Sequence, residues 1–269
     1  MTSLSFIPLA RTISHATRLV NTFFILMGFA GWLTSCQTSS TGLTKTTGTT
    51  GQPIRVLIVG GGTSHNFDMW YKTVDVQTLS RNGFATVNYI GDPDSILTYL
   101  NQADVLYLSN NRAITNPAVR QAIMAHVDAG KGLLIAHAAL WYNWKDWPEY
   151  NQTIVSGGSR GHDKYGAFEV TVTQPQHPVM KGVEPKFTLK DERYYYKADS
   201  TGPGISVLAS SSLSAGAVAG SDNVFPSVFV VKHPKCRIVG LALGHDAESH
   251  NIANYQVMLR NSVQWVARK

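Results

Sequence analysis

Four short apolar runs, separated by segments of a different period, set the tightest limit on how this chain can fold. The first, Ile54–Val59, is closed by Gly60, Gly61 and Gly62, and the others occupy 84–90, 104–109 and 132–137. Segments with helical spacing lie between them at about 68–82, 94–102 and 117–129. Pro117 fits the first turn of a helix, where its fixed φ is already helical and its missing N–H is not needed. Strands alternating with helices predict a parallel sheet covered on both faces, an α/β fold.

The pattern changes after His137. Residues 138–166 are rich in Trp, Tyr, Gly and polar groups and read as one long loop. Loops of that length in compact domains often carry function. Further strands are expected at 167–173, 205–210, 227–231 and 237–243. In the last segment Ile252, Tyr255, Leu259, Val263 and Val266 recur at helical spacing and mark one buried face. With 43% apolar residues in 269, the chain can bury a sizeable core, and residues 53–269 read as one domain.

The amino-terminal part has another character. Arg11 and Arg18 precede an apolar run at 23–32, and no acidic residue occurs before Asp68. A basic start followed by a short apolar stretch is the pattern of a secretory signal, here 1–35. The run is short for a membrane-spanning helix. It ends in Leu33-Thr34-Ser35-Cys36, which resembles a bacterial lipobox. That resemblance implies cleavage before Cys36, lipid on its thiol, and a domain held at the cell envelope, periplasmic or surface-exposed. Residues 36–52 are rich in Ser, Thr and Gly and read as a flexible tether. With Cys36 lipidated, Cys236 has no partner for an intramolecular disulfide. The formal charge of +6 is dispersed, without a Lys/Arg run, which argues against a nucleic-acid partner.

Chemistry is expected at the strand ends. In a parallel sheet, residues that follow the carboxyl ends of the strands gather along one edge. That rule brings the loop holding His65 together with His137, at the end of "GLLIAHAAL". His245, in "LALGHDAESH", joins them only if its strand runs parallel to the first. His162 lies in "SRGHDKYG", and Asp191 and Glu192 open "DERYYY". Asp246 is placed to orient His245, and Asp163 to orient His162, since a carboxylate fixes an imidazole tautomer. His65, His137, His245, Asp191 and Glu192 are therefore the candidate catalytic groups. His65, His137, His162 and His245 are candidate ligands of a divalent metal, and a carboxylate would complete such a site. Gly60–Gly62 lacks the GxGxxG spacing and no Lys follows, which disfavours a nucleotide loop. Trp141, Trp144 and Tyr194 present aromatic faces suited to a sugar ring, or else pack the loop onto the core. Two readings stay open: an enzyme using these groups, or a carbohydrate-binding lipoprotein whose histidines merely hold loops. Convergence of three or more of the side chains within coordination reach favours the first.

The stretches "VLIVGGGTSHNFDMW" (56–70), "GGSRGHDKYGAFEV" (157–170), "HPVMKGV" (177–183), "FTLKDERYYY" (187–196) and "LGHDAESHNIANYQVMLRNSVQWVA" (243–267) occur in an order that resembles the ThuA-like family, named for trehalose utilisation. The resemblance implies a flavodoxin-like, class I glutamine amidotransferase-like three-layer sandwich with a mostly parallel central sheet. In those amidotransferase relatives a strand–turn–helix elbow carries a cysteine nucleophile. Here the corresponding position is His137-Ala138, and neither residue can replace a thiolate in acyl chemistry. Ser64 and Ser109 lack the G-x-S-x-G elbow. Cysteine amidotransferase activity is thus disfavoured. The family's association with sugar catabolism implies a small carbohydrate substrate, a glycoside or a 3-keto sugar. The lipobox sets this chain apart from cytoplasmic members.

Overall fold

The alternation read from the apolar runs becomes a sheet in which the carboxyl ends of the first, fourth and last strands reach one edge. The computed structural model describes residues 52–141, 145–216 and 220–267. The segments expected to form a signal and a tether, with Cys36, and Trp144 lie outside the described residues. The strands are β1 (Ile54–Val59), β2 (Ala85–Ile90), β3 (Val105–Leu108), β4 (Gly132–Ala136), β5 (Gly157–His162), β6 (Gly166–Val172), β7 (Lys186–Asp191), β8 (Tyr194–Ala198), β9 (Ile205–Leu213), β10 (Phe225–Val231) and β11 (Ile238–Leu241). Nine of them form one sheet in the order β2-β1-β3-β4-β11-β10-β9-β6-β7. Strands β2, β1, β3, β4 and β11 run parallel to one another. Strands β10, β9, β6 and β7 continue the sheet in antiparallel fashion. The sheet is therefore mixed, with the expected parallel order in the half that faces the site.

Successive residues of a strand point to opposite faces, and both faces here are apolar. From β1, Val56 and Ile58 enter one core with Tyr107, Leu134, Leu259 and Val263. Leu57 and Val59 enter the other core with Leu106, Leu133, Val119 and Ile123. Helix on sheet on helix is a three-layer α/β sandwich. α1 (Val76–Ser80) follows a π-helical stretch, Asp68–Asp75. α2 (Ile96–Tyr99) is a short turn of helix, and α3 (Pro117–Asp128) begins at Pro117 as expected. The Asn116 side chain accepts from the Ala118 N–H at 3.0 Å and caps α3. After α4 (Ala247–His250), α5 (Ala253–Val266) buries Tyr255, Leu259, Val263 and Val266 against the sheet. Among the described residues, no helix is long and apolar enough to cross a membrane.

Two expectations need correction. The stretch 138–166 is not one loop, because it holds β5, which pairs antiparallel with β8 in a ribbon separate from the main sheet. β5 reads GGSRGH and has no apolar alternation to reveal it. The helix expected at 94–102 is α2 between two 3-10 turns, not a continuous helix.

Candidate metal centre

Three histidines reach the centre from three parallel strands. His65 follows the glycine turn after β1, His137 is the first residue beyond β4, and His245 lies just beyond β11. Because β11 is parallel to β4, His245 joins the other two at the carboxyl edge. Glu192 arrives from the opposite side, in the tight link between β7 and β8. One donor atom from each of His65, His137, Glu192 and His245 lies within 4.8 Å of all the others. Glu192 Oε2 stands 3.6 Å from His137 Nε2 and 3.1 Å from His245 Nδ1.

The imidazoles are turned inward by what holds their far sides. His65 Nδ1 faces the Thr63 carbonyl at 3.0 Å, and His137 Nδ1 faces the Ala242 carbonyl at 3.0 Å. A carbonyl only accepts, so each Nδ1 carries the proton and each Nε2 presents a lone pair. His65 Nε2, His137 Nε2 and His245 Nδ1 are all buried and make no well-aligned hydrogen bond, with the Glu192 carboxylate alone beside the last two. Buried polar atoms are rarely left so, and three aimed at one point mark a place for a ligand. Burial, reinforced by the neighbouring His137, pushes His65 down to about 4. Burial alone would raise the Glu192 carboxyl, but contact with His137 and His245 outweighs it and holds Glu192 well below the carboxylate range. Contact with Glu192 in turn raises His245 above the usual histidine value. Three imidazole nitrogens and one carboxylate suit a divalent cation such as zinc, and these residues form a candidate metal-binding cluster.

His137 holds its place by an unusual backbone. It is fully buried, with φ +34. That value is uncommon for any residue but glycine and produces the sharp turn that aims the ring at the edge. Tyr194 stacks on the His137 ring at 4.2 Å. Trp141 stands edge-on to Tyr194 at 5.6 Å and to His162 at 5.7 Å. A cavity of about 300 Å³ opens beside the cluster, lined by Thr63, Ser64, His65, Asn111, Ala138, Trp141, His162, Glu192 and Tyr194.

The remaining candidates stand around this group rather than in it. His162 Nδ1 faces the Asp163 carbonyl at 2.7 Å and lies 3.8 Å from Glu192 Oε1, so Glu192 and not His162 is the fourth donor. The Asp163 carboxylate does not orient His162. It pairs with the buried Arg193 guanidinium at 2.6 Å and accepts from Tyr195. Asp246 does not orient His245 either, because its carboxylate caps α4 by accepting from the Glu248 N–H at 3.0 Å. Asp191 is fully buried beneath the centre. It accepts from the Glu192 N–H at 2.7 Å, Gly244 N–H at 2.8 Å, His245 N–H at 3.1 Å and Ser249 hydroxyl at 2.6 Å. It is thus a clamp on the backbone of Glu192 and His245, with no lone pair left for the cavity. The only cysteine among the described residues, Cys236, is buried just before β11, and burial pushes its thiol up to about 12. It faces the Lys131 carbonyl and has no part in the centre.

Comparison with known proteins places this architecture. Residues 55–266 match the family described as ThuA, trehalose utilisation. The chain belongs to the ThuA family. Two ThuA-like crystal structures share its fold. The protein from Parabacteroides merdae has a TM-score of 0.70 at 23% identity, covering 80% of this chain and 90% of that one. The protein from Bacteroides uniformis has 0.67 at 20%, covering 80% and 91%. A cytoplasmic protein of Salmonella typhimurium has 0.57 at 15%, covering 79% and 99%. At these identities the likeness is one of fold. No curated protein matches the chain. Within the ThuA region, His65, Glu192 and His245 fall in the family-like stretches, while His137 comes from "GLLIAHAAL" between them.

Sequence reasoning did not single out the Thr63 and Ala242 carbonyls, Asn111, Arg193, Asp75 or His250. The first two act through backbone and leave no side-chain signal. His250 stands in the quoted "LALGHDAESH", five positions after His245, and that proximity was its available signal.

Proposed function

We propose that this ThuA protein is an enzyme of carbohydrate breakdown that uses a divalent cation held by His65, His137, Glu192 and His245. In this reading it is anchored at the bacterial envelope by lipid on Cys36 and acts on a glycoside or a 3-keto sugar. The observation that carries the proposal is the set of buried nitrogens of His65, His137 and His245, without well-aligned hydrogen bonds, converging with Glu192. Merely structural histidines would have their ring nitrogens satisfied separately. When bound, a divalent cation supplies a Lewis acid that draws electrons from a substrate oxygen.

The chain's own residues supply the rest. Trp141 offers an aromatic wall for the apolar face of a sugar ring at the cavity. His162 lines the same cavity, and its Nδ1–H is committed to the Asp163 carbonyl, which leaves the Nε2 lone pair to accept a proton. For a 3-keto glycoside, His162 takes the proton from the carbon next to the ketone. The electron pair moves to the carbonyl oxygen and then returns to expel the glycosidic oxygen, which leaves with the proton His162 has taken. Water is required only afterwards, at the unsaturated sugar that results.

The test uses the full-length chain in detergent. Elemental analysis reads bound metal, and mass spectrometry follows trehalose, 3-ketotrehalose and related glycosides. Metal near one equivalent, lost in His137→Ala together with turnover, is the expected result. Absence of turnover with every added divalent metal sinks the enzymatic reading.

A further inference from the structure

Behind the centre lies a second buried polar network that the chemistry above does not use. His250 is fully buried, as is Asp75 at the end of the π-helical stretch. His250 Nδ1 lies 2.7 Å from Asp75 Oδ1, and Nε2 lies 3.0 Å from the Gly244 carbonyl. Both nitrogens face acceptors, so both carry protons and the ring is an imidazolium paired with Asp75. The Tyr107 hydroxyl donates to Asp75 Oδ2 at 2.8 Å and completes that side. The Gly244 carbonyl also accepts from the Tyr71 hydroxyl at 2.7 Å.

Gly244 is the residue before His245, and its φ is +122. Its carbonyl is gripped from one side by His250 and Tyr71. The other end of that same peptide, the His245 N–H, is gripped by Asp191 at 3.1 Å, and the preceding Gly244 N–H by the same carboxylate at 2.8 Å. A peptide held at both ends cannot rotate, and its rotation is the motion that would swing His245 away from the centre. We propose that His250, charged by Asp75, is a positioning residue that fixes the direction from which His245 Nδ1 meets a metal ion. The inference rests on the metal reading of the cluster. It assigns work to a buried ion pair that is otherwise a poor source of stability, since such pairs repay their desolvation only with full hydrogen bonding.

The experiment compares the full-length protein with His250→Asn, His250→Gln and Tyr71→Phe. His250→Asn is too short to reach the Gly244 carbonyl, while His250→Gln keeps a donor at similar reach. Val127→Ala, in the opposite core, controls for lost stability alone. Three readouts are taken: the visible absorption of the cobalt(II)-loaded protein, zinc affinity by chelator competition, and the ¹⁵N resonances of the His245 ring without metal. His250→Asn is expected to shift the cobalt bands, weaken zinc about tenfold to hundredfold, and move the His245 resonances. Tyr71→Phe moves all three the same way by less, and His250→Gln restores most of the loss. Val127→Ala leaves the bands and resonances in place. A folded His250→Asn with wild-type bands, affinity and resonances overturns the inference. If His250→Asn does not fold, unchanged readouts in Tyr71→Phe overturn it instead. Should the wild type take up neither cobalt nor zinc, the metal reading fails, and the metal-free resonances still show whether His250 positions His245.

Discussion

A non-glycine residue held at positive φ costs about 1–3 kcal/mol, and His137 keeps that backbone while fully buried. Removing the imidazole therefore has two separable effects. His137→Gly and His137→Ala both lose the donor, but only the glycine relieves the backbone. Metal-free His137→Gly is expected to be more stable than His137→Ala by about 1 kcal/mol, the reverse of the usual order, as denaturant melts would show. Equal stabilities would mean that the turn is not strained. Proton bookkeeping at the cluster is also predictable. Burial keeps His65 neutral at neutral pH, whereas contact with Glu192 raises His245. Zinc binding must then displace a proton from His245. Affinity should rise with pH through the raised His245 value and level off above it, with proton release visible as buffer-dependent heat in calorimetry. A flat profile would contradict this assignment. His65 and His137 were readable together because imidazoles at the ends of parallel strands share an edge, whereas His245 depended on the direction of its strand, which the structure supplies. The choice between Asp191 and Glu192 was not readable. They are neighbours at the end of a strand and point opposite ways, Asp191 into the backbone clamp and Glu192 into the cluster.

At the level of elements, the parallel half of the sheet was readable because doubly buried strands are continuous apolar runs. Strands β5 and β8 were not. Their ribbon is held by backbone pairing and by aromatic packing of Tyr194 and Tyr196, and β5 itself is half glycine. The join between β4 and α5 depends on a missing side chain. A Cβ at Gly132 would lie 2.6 Å from the Val266 carbonyl oxygen. Gly132→Ala must push the end of α5 off the sheet and should cost about 1–3 kcal/mol by denaturant titration. The His250–Asp75 pair adds a pH signature. Burial alone would lower His250, but the Asp75 carboxylate, by charge and hydrogen bond, raises it above the ordinary value in the folded chain. Folding takes up a proton there. The stabilisation is full below about pH 6.5 and is lost as pH rises through the raised folded value. The gap in Tm between wild type and His250→Gln should accordingly narrow as pH is raised from about 6 to about 9. A gap that widens would place the charge elsewhere.

For the whole molecule, the lipobox reading predicts that labelled palmitate enters the wild-type chain and is lost in Cys36→Ala, which should then be released from membranes. Incorporation that survives the substitution would disprove it. The fold class was readable from period and order alone. The position of β11 was not, since nothing in its sequence says that the last strand lies in mid-sheet, between β4 and β10. That placement has a consequence for assembly. His245 reaches the edge only when the last strand has docked beside β4, a partner made much earlier in the chain. A nascent or truncated chain lacking β11 offers His65, His137 and Glu192 without the fourth donor. Loading with an ion would thus register completion of the fold, and metal content would measure how much of a preparation has finished folding.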